Sequence, residues 1–384
     1  MTRADILVVA DLRFTGGTSA ALAADIAAFS ALGLRVDLMG IESSFLDADA
    51  GTVVPVVAAL LDLPGVAMAP ASPAAEIVFL HHPMTFAGTM RGARPIVADR
   101  AVLVAHHPPF RGDGSLEYNP VSIALRVRRG LGLRPLWAPV SGLIRTQLRA
   151  FSPLIALTGE DWHNVFDPAA WRATRQVFDS GKPVVGRHGR PDRLKWPDTV
   201  EAVAGPLDPG PGWRTRIMGC PPEALSLAGS RTEAWEILPF GAMSSRDFLE
   251  GIDAFVYYHH PAWVEAFGRT VAEAILMERP CLLDPKLAAT FGDLAEYGPP
   301  SEAPARLAAW RADPALTRIR AADRRDRALA RYGDASVAAR LGALRHDSGT
   351  RSRAGPKVTS PAVTARKTLG LARRRIAEGW TWGG

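Results

Sequence analysis

The sequence predicts an α/β fold of two doubly wound, parallel-sheet domains that follow one another along the chain. Short apolar segments alternate with segments of helical periodicity in the first half, and the same alternation begins again in the second half. Alternation of this kind indicates a parallel sheet with helices on both faces. The length of 384 residues exceeds what a single ordinary core supports. We therefore expect domains over residues 1–175 and 176–345, and a basic linker or tail over residues 346–384.

Each domain contains a series of predicted strands. In the first domain they are residues 6–10, 36–41, 77–81, 102–106 and 154–158. In the second domain they are residues 184–187, 216–219, 237–240, 252–258 and 281–284. Ala21, Leu22, Ile26 and Phe29 recur at helical spacing and predict a helix after the first strand. Ligands of such sheets bind at the carboxyl ends of the strands, so the residues that follow each strand are the candidates for function.

The basic charge of the chain is concentrated near its end. Residues 348–384 contain eight Lys or Arg and one Glu, whereas the net charge of the whole chain is only +6. The rest of the chain is therefore nearly neutral, which argues against a nucleic-acid partner. Residues 121–151 contain six Arg interleaved with apolar residues and no acidic residue. We expect residues 126–149 or the tail to meet an anionic membrane surface, and an ordinary exposed Arg-rich helix face is the alternative.

The composition also bears on the cellular compartment. No apolar run reaches the roughly 20 residues that a membrane-spanning helix needs. The N-terminus has the pattern of a first strand and not that of a signal peptide. Only two cysteines occur, Cys220 and Cys281, which argues for a reducing compartment. We expect a cytoplasmic protein, peripheral on the inner face of the plasma membrane if it binds a membrane at all.

Two carboxylates in the second domain form the most informative pattern. Glu265 follows the predicted strand at 252–258, and Glu273 lies about one turn inside a helix that begins near Gly268. The first N–H groups of a helix are unpaired and attract an anion such as a diphosphate. Carboxylates accept hydrogen bonds from vicinal hydroxyls, as a ribose or a hexose presents them. The stretch therefore suits a nucleotide-sugar, although two Glu residues at this spacing also arise by chance.

A glycine pair follows the first predicted strand. Gly16 and Gly17 allow the backbone to approach a ligand closely, and Thr18 or Ser19 is positioned to cap the next helix. An ordinary turn before a helix is the alternative. The glycines do not form a Gly-x-Gly-x-x-Gly pattern, and no acidic residue follows at the spacing that a nicotinamide cofactor requires. We expect no nicotinamide cofactor.

Four histidines occur in two His-His-Pro steps of the first domain, each at the end of a predicted strand. The pairs are His81 with His82 and His106 with His107. Parallel strands end at one edge of the sheet, so both pairs are expected there. Buried or turn histidines that bond to the backbone are the alternative. Four histidines are also compatible with a zinc site, but no Cys, Asp or Glu at metal-ligand spacing accompanies them.

These motifs together resemble the retaining glycosyltransferases of family 4, whose two Rossmann-like domains form the GT-B architecture. The resemblance covers residues 6–17 and 102–108 and is strongest over 184–285. It implies transfer of a sugar from a nucleotide-sugar donor, UDP- or GDP-linked, to a glycan or lipid-linked acceptor. The anomeric configuration would be retained. The resemblance further implies an active site in the cleft between the domains, with the acceptor mainly on the first and the donor mainly on the second.

The resemblance also implies roles for particular residues. Glu265 would engage the donor sugar, and Glu273 would hold the ribose. His106 would lie near the transferred sugar, with His107 in its place if the strand register slips by one. The remaining residues of the implied donor set are Phe267, Gly268, Arg269, Thr270, Gly16 and Gly17. The implied acceptor side includes His81, His82 and His107.

Two basic residues complete the implied site. Arg187 and Lys195 match the family's Arg and Lys that contact the donor diphosphate. When the sugar–phosphate bond breaks, a bidentate Arg and a Lys point charge stabilise the developing negative charge. This pair would replace the divalent metal of other transferases, so we expect no metal cofactor. Two solvated basic side chains are the alternative.

Other interpretations of the same fold stay open. A nucleotide-sugar 2-epimerase would need further acidic groups at the site, and a non-catalytic partner subunit would bind nucleotide-sugar or glycan without turnover. The segment at residues 235–241 resembles the part of family 4 enzymes that lines the nucleobase pocket, and a buried strand and turn is its alternative. The chain departs from the family pattern at Glu278 and Arg279, where a small residue or Gly is usual.

Overall fold

The computed structural model describes residues 3–46, 51, 53–179 and 181–377, and the chain divides into two compact units. The first unit comprises Met1–Val165 together with Ala335–Gly384, and the second comprises Phe166–Asp334. The last segment of the chain is thus assigned to the first unit, whereas the sequence placed residues 335–345 in the second domain. Trp380 and Trp382, at the end of the predicted tail, lie outside the described residues.

The first unit is built on a six-stranded sheet of parallel strands. Its strands are β1 (Ala4–Ala10), β2 (Val36–Gly40), β4 (Val66–Met68), β5 (Ala74–His81), β7 (Val97–Ala105) and β8 (Leu136–Pro139). They lie in the order β4-β2-β1-β5-β7-β8. Two further strands, β3 (Glu42–Ser43) and β6 (Met90–Arg91), form a small antiparallel pair. The central strands are apolar and buried almost throughout, as strands covered on both faces must be.

Among the described residues, three α-helices lie between these strands and a fourth follows the last of them. They are α1 (Gly17–Ala31), α2 (Pro55–Ala58), α3 (Pro120–Leu131) and α4 (Gly142–Leu148). The side chain of Asn119 caps α3 and that of Ser141 caps α4, each by accepting a hydrogen bond from a backbone N–H of the first turn. At α1 the predicted side-chain cap is wrong. Gly16 is the N-cap residue, and the Ser19 hydroxyl donates back to the Gly16 carbonyl at 3.0 Å.

The predicted strand at residues 154–158 is also wrong. Leu154 is 68% exposed, and Leu157 forms only isolated bridges, to Trp137 and to Thr350. The outer place in the sheet belongs to β8, which pairs with β7. The backbone N–H of Leu154 donates to the carbonyl of Phe151 at 2.9 Å, so the run begins in a turn and only its last residues bond to neighbouring segments.

The second unit contains another six-stranded parallel sheet. Its strands are β9 (Val184–His188), β10 (Arg214–Met218), β11 (Trp235–Leu238), β12 (Ala254–Tyr257), β13 (Cys281–Leu283) and β14 (Glu296–Tyr297). They lie in the order β11-β10-β9-β12-β13-β14. Its helices are α5 (Val200–Leu207), α6 (Pro222–Ala228), α7 (Ser245–Glu250), α8 (Arg269–Leu276), α9 (Ala288–Phe291), α10 (Ala303–Ala312) and α11 (Pro314–Tyr332). The prediction of two doubly wound parallel-sheet domains is confirmed.

The second unit begins at Phe166, before the predicted boundary at residue 176, because polar contacts join its first residues to the rest of the unit. Backbone N–H groups of Thr174 and Arg175 donate to the Glu250 carboxylate, and the Arg175 side chain donates to Asp253 at 2.8 Å. The backbone N–H of Phe166 donates to the carbonyl of Tyr332 at 2.9 Å. These hydrogen bonds hold the residues from 166 onward against the second unit. The spacing of apolar residues in the sequence does not predict polar contacts of this kind.

Two helices of the first unit end the described chain, α12 (Ser336–His346) and α13 (Pro361–Ala377). Along α13, Leu371 is buried, Lys367 donates to the carbonyl of Gly114, and Arg374 donates to that of Leu116. The tail predicted over residues 346–384 thus includes a helix that packs on its own unit. No helix among the described residues is long and apolar enough to cross a membrane.

Candidate active site

Glu265 is the centre of the candidate site in the second unit. Its Oε2 atom accepts hydrogen bonds from the Tyr257 hydroxyl at 2.8 Å, from Lys195 Nζ at 3.0 Å and from Trp263 Nε1 at 3.2 Å. Its Oε1 atom has one longer contact, 3.4 Å to Lys195 Nζ. Three donors therefore fix one oxygen of the carboxylate, and the other retains capacity to accept a hydrogen bond from a ligand.

The local chain geometry places Glu265 beside the start of α8. Tyr257 ends β12, and the loop that follows returns to Gly268, the N-cap residue of α8, with φ of 87°. That left-handed conformation favours glycine. A Cβ atom at Gly268 would also lie 3.4 Å from Glu265 and from Phe291. The glycine of the predicted Phe-Gly step thus lets the loop close onto the helix with the carboxylate packed against the turn.

Glu265 is ionised although it is buried. Burial by itself raises the pKa of the carboxyl group. The charge of Lys195 and the hydrogen bonds from Tyr257, Lys195 and Trp263 outweigh burial, and the pKa of Glu265 lies below its usual value. Burial and, after it, the charge of the same carboxylate raise the pKa of Tyr257 well above its usual value, so the phenol stays a hydrogen-bond donor. The site thus contains a fixed, negatively charged acceptor with an ammonium group beside it.

Arg187 lies deeper than Lys195 and holds the surrounding segments together. Its guanidinium carbon is 4.1 Å from the ring centroid of Trp196 and 4.7 Å from that of Tyr257. Its two terminal nitrogens donate to the carbonyl oxygens of Tyr258 and Lys195. The side chain is only 3% exposed, and burial lowers the pKa of Arg187 to about 10, with nearby acidic groups opposing the shift. Arg187 positions the Lys195 backbone, and its contact with a diphosphate stays a prediction.

Glu273 lies about one turn inside α8, as predicted from its place after Gly268, and its side chain is buried. Its Oε1 atom is 3.6 Å from Arg269 Nε. Burial raises the pKa of Glu273 to about 7, although the charge of Arg269 opposes the shift. The guanidinium of Arg269 in turn packs over the ring of Phe166 at 4.4 Å. Glu273 is therefore a carboxyl group whose charge changes near neutral pH.

The other predicted donor residues occupy different surroundings. The Phe267 ring is buried against Phe166, Phe291 and Tyr332, so its side chain supports the loop from within. Thr270 lies near the hydroxyl of Tyr257 and opposes the rise in the pKa of that phenol. A ligand role for the backbone N–H groups of Phe267 and Gly268 stays a prediction.

The first unit brings three of the four predicted histidine rings into one stack at the carboxyl ends of β5 and β7. His81 Nδ1 lies 3.2 Å from His106 Nε2, and the two rings stack with centroids 5.3 Å apart. His82 stacks on His106 from another side at 6.4 Å. Burial lowers the pKa of His81 to about 3 and that of His82 well below its usual value. Both rings are therefore neutral at physiological pH, and His81 is too buried to contact a substrate directly.

His107 and the glycine loop lie at the same edge of this sheet. The centroid of the His107 ring is 5.7 Å from that of His82, and burial lowers the pKa of His107 although Glu117 opposes the shift. Gly16 and Gly17 are exposed after β1. A buried ion pair of Arg13 with Asp11, at 2.7 Å, holds the loop before them. Whether these residues meet a substrate stays a prediction.

Several elements of the candidate sites were missed by the sequence interpretation. Tyr257 and Trp263 carry two of the three hydrogen bonds to Glu265 Oε2, and Asp25 lies against His81 at 3.6 Å. Tyr257 ends β12 and Trp263 lies in the turn that follows, and this concentration of aromatic residues before Glu265 is the signal that could have found them. Asp25 was detectable as the one acidic residue within the apolar helix α1.

The arginines of residues 126–149 do not form one free basic face. Arg126 donates to the carbonyl of Gly88 at 3.3 Å, and Arg145 pairs with Asp161 at 2.6 Å. Arg128 and Arg129 are exposed near the end of α3. In the predicted nucleobase segment, Trp235 is buried in β11 while Phe240 is 56% exposed. Among the described residues no group of three or more His, Cys, Asp or Glu side chains is placed to hold a metal ion.

The two parallel sheets with their helices form the GT-B fold, which is built from two Rossmann-like domains. Solved structures with this fold are similar over most of the chain. HepE of Anabaena, solved with UDP and glucose, has 15% identity and a TM-score of 0.56, and covers 88% of this chain and 98% of its own. A glycosyltransferase of Rickettsia africae has 10% identity and a TM-score of 0.56, with 90% and 98% covered.

AviGT4, a glycosyltransferase involved in avilamycin A biosynthesis, is similar at 15% identity and a TM-score of 0.50, with 88% of this chain and 96% of its own covered. At these identities the likeness establishes the fold. No protein-family model matches the sequence. No curated protein matches it either.

Proposed function

We propose that this protein is a retaining glycosyltransferase of the family 4 type, which moves a hexose from a UDP- or GDP-sugar to a glycan or lipid-linked acceptor. The observation that carries the proposal is the Glu265 carboxylate with one oxygen fixed by three donors, beside Lys195 and the start of α8. HepE, which shares the fold, has been solved with UDP-glucose. Its ligand supports a nucleotide-sugar as the donor.

Each group at this site has a part in the proposed reaction. The Oε1 atom of Glu265 accepts a hydrogen bond from a hydroxyl of the donor sugar. Lys195 and the N–H groups at the start of α8 stabilise the diphosphate as it leaves, because its negative charge increases when the sugar–phosphate bond breaks. Arg187 holds Lys195 in place and adds positive charge. In this proposal no metal ion takes part.

Retention of configuration would follow from departure and attack on the same face of the sugar. The leaving phosphate oxygen would take the proton of the acceptor hydroxyl as the new bond forms, so no enzyme nucleophile is required. His106 in the first unit would contact the transferred sugar, and Glu273 would accept hydrogen bonds from the ribose hydroxyls.

The acceptor is proposed to lie on the first unit, and a lipid-linked acceptor would place the protein on the cytoplasmic face of the plasma membrane. The exposed arginines of α3 and the helix α13, which has Arg366 and Arg373 exposed beside the 64% exposed Leu369, support this part of the proposal. Co-sedimentation with phosphatidylserine vesicles but not with phosphatidylcholine vesicles is the expected result. Equal binding to both would argue against it.

The donor is tested first by thermal stability. The protein is heated with UDP-, GDP-, ADP- or dTDP-sugars, and a ligand at a hundred times its dissociation constant stabilises by about 2.7 kcal/mol. The stabilising donor is then incubated with candidate acceptors, and the anomeric configuration of the product is read by proton NMR. We expect a product with the configuration of the donor. An epimer formed without acceptor would instead identify a 2-epimerase, and binding without turnover would identify a partner subunit.

The site is tested by Glu265→Gln and Lys195→Met. Each is expected to lower kcat by at least about a hundredfold, as removal of a group that stabilises transition-state charge does. Glu233→Gln, at an exposed Glu of the same unit, is the matched control and should transfer at the wild-type rate. Near-wild-type transfer by either site variant in a folded protein would refute the assignment.

A further inference from the structure

A row of polar side chains, most of them buried, lies behind His106 in the first unit. Trp162 Nε1 donates to Asp25 Oδ2 at 3.1 Å, and the same oxygen is 3.6 Å from His81 Nε2. The other nitrogen of His81, Nδ1, is 3.2 Å from His106 Nε2. Asp25 and His81 are 2% and 1% exposed. The row therefore begins in the interior of the unit and ends at His106, which is half-buried where β7 ends.

The position of Asp25 calls for an explanation. It lies on the buried face of α1 among Leu22, Ile26 and Phe29, where a carboxylate is costly unless other groups compensate it. The Trp162 ring packs against Phe79 with centroids 4.7 Å apart, which fixes the indole donor. Arg340 of α12 lies over the same indole at 4.6 Å. Burial lowers the pKa of Arg340, and the negative charge of Asp25 opposes that shift. Separate elements thus combine to hold this carboxylate.

The row determines which nitrogen of each histidine carries the proton. A neutral imidazole has one N–H donor and one acceptor, whereas a carboxylate only accepts. His81 is neutral because it is buried. Its proton is favoured on Nε2, since an unprotonated Nε2 would turn its lone pair toward the Asp25 oxygen. The separation of 3.6 Å is long for a hydrogen bond, but charge and dipole still interact strongly in a buried region. His81 Nδ1 must then accept, and His106 must donate from Nε2.

We propose that Asp25 and His81 are positioning residues that keep His106 in its Nε2–H tautomer and so make His106 Nδ1 a hydrogen-bond acceptor. The use of this acceptor rests on the proposed function, in which it would receive a hydrogen bond from a sugar hydroxyl. The rings of His81 and His82 both stack with that of His106, at interplanar angles of 24° and 10°, and these contacts fix the plane of the His106 ring. Tautomer and ring orientation together determine where the acceptor lone pair points.

The tautomer is measured without any substrate. Long-range proton–nitrogen correlation spectra of the full-length protein, labelled with ¹⁵N-histidine, distinguish protonated from unprotonated ring nitrogens, and His106→Gln assigns the signals. We expect His106 to be protonated at Nε2 and unprotonated at Nδ1. A wild-type His106 that carries its proton on Nδ1 overturns the proposal. This measurement needs no variant of the row, so it holds even if such a variant folds poorly.

Asp25→Asn tests the cause of the tautomer. The amide oxygen can still accept from Trp162, but the negative charge that favours the proton of His81 on Nε2 is lost, so both tautomers of His81, and with them both tautomers of His106, become populated. We expect a mixed or reversed His106 spectrum. Asp37→Asn, at a half-buried Asp of β2 in the same sheet, is the matched control and should leave the spectrum unchanged. An unchanged His106 spectrum in folded Asp25→Asn overturns the role of Asp25.

The consequence for transfer is tested with the donor identified above. Asp25→Asn should lower kcat by at least about tenfold while the KM for the donor changes less than about twofold, because a wrong histidine tautomer impairs the chemical step. An unchanged kcat in a protein with a reversed His106 tautomer overturns the use of Nδ1. If the wild-type protein transfers no sugar at all, the proposed function fails, whereas the spectra still decide whether the row sets the tautomer.

Discussion

The ion pair between Lys195 and Glu265 should show a large coupling energy in a double-mutant cycle. The pair is 3.0 Å long, and its side chains are 17% and 8% exposed. At that distance the attraction of two unit charges is about 5.5 kcal/mol at an effective dielectric constant of 20 and about 1.4 kcal/mol in bulk water. The ammonium retains some contact with solvent, so we expect a coupling energy between these limits, about 2–4 kcal/mol.

The cycle compares the wild type with Lys195→Met, Glu265→Gln and the double variant, each in the full-length chain. The free energy of unfolding is obtained from urea titrations at pH 7.5, followed by tryptophan fluorescence, because Trp196 and Trp263 lie at the site. Lys195→Met should be the most destabilised of the three, since it leaves a buried carboxylate without its cation. The double variant should recover part of that loss.

The pH dependence gives an independent check with a definite sign. The folded-state pKa of Glu265 lies below its usual value, so the carboxylate stabilises the folded state above the unfolded pKa, near pH 4.3. That contribution disappears as the pH falls through the folded pKa. In Lys195→Met the dominant influence is burial, so destabilisation should instead lessen as the pH falls from 7 toward 5. A coupling energy of zero within error, or an equal loss at pH 5 and pH 7.5, would refute the electrostatic account.

Three further predictions concern stability. Gly268→Ala should cost about 1 kcal/mol or more in urea unfolding because φ is 87°, whereas Gly342→Ala within α12, where a Cβ meets nothing within 4 Å, should stabilise slightly. Arg187→Lys should lower the free energy of unfolding by about 2 kcal/mol or more in the same assay, because an ammonium group cannot both stack on Trp196 and donate to two carbonyls. A loss below about 0.5 kcal/mol would contradict this prediction. Glu273→Gln should be more stable than the wild type at pH 8 by about 1–3 kcal/mol. Folding raises the pKa of Glu273 from about 4.3 to about 7, so ionisation of this group opposes folding as the pH rises through that interval. A higher stability of the variant that persists at pH 4 would contradict this account.

The parts of the structure that depend on local periodicity were the ones the sequence could predict. Apolar runs such as those of β1, β5 and β12 are buried on both faces, so their identity as central parallel strands is evident from composition alone. Short strands and strands at the edges of the sheets could not be predicted in this way. β8, β4 and β14 have only two to four residues each, and the apolar run at residues 154–158 forms isolated bridges instead of a regular strand. Contact energy between distant segments decides such cases, and periodicity carries no information about it.

The candidate site likewise has features that the sequence could predict and features that it could not. The placement of Glu265 and Glu273 around the start of α8 follows from a strand, a Phe-Gly step and a helix that are adjacent in the chain. The depth of Arg187 does not follow, because it depends on Trp196 and Tyr257, which close on the guanidinium from different segments. The link from Asp25 to His81 joins α1 to β5 and likewise exists only in the folded unit.

Glu273 should make the affinity for a nucleotide-sugar depend on pH. Glu265 has a lowered pKa, and burial lowers the pKa of His81 to about 3 and that of His82 well below its usual value, so none of these three groups is expected to change charge between pH 6 and pH 8. Glu273, with a pKa of about 7, is expected to change charge within that interval.

An ionised carboxylate accepts from both ribose hydroxyls, whereas the protonated group loses acceptor capacity. If only the ionised form binds, the dissociation constant should be about fivefold higher at pH 6 than at pH 7 and change little above pH 8. Calorimetry with an intact nucleotide-sugar is the right measurement, because both of its phosphates are esterified, whereas the terminal phosphate of a free nucleoside diphosphate would itself titrate near pH 6. Glu273→Gln should bind more weakly and show no pH dependence in this range. Two results together would show that Glu273 does not bind the ribose. They are a wild-type dissociation constant that stays constant from pH 6 to pH 8, and an equal dissociation constant for Glu273→Gln.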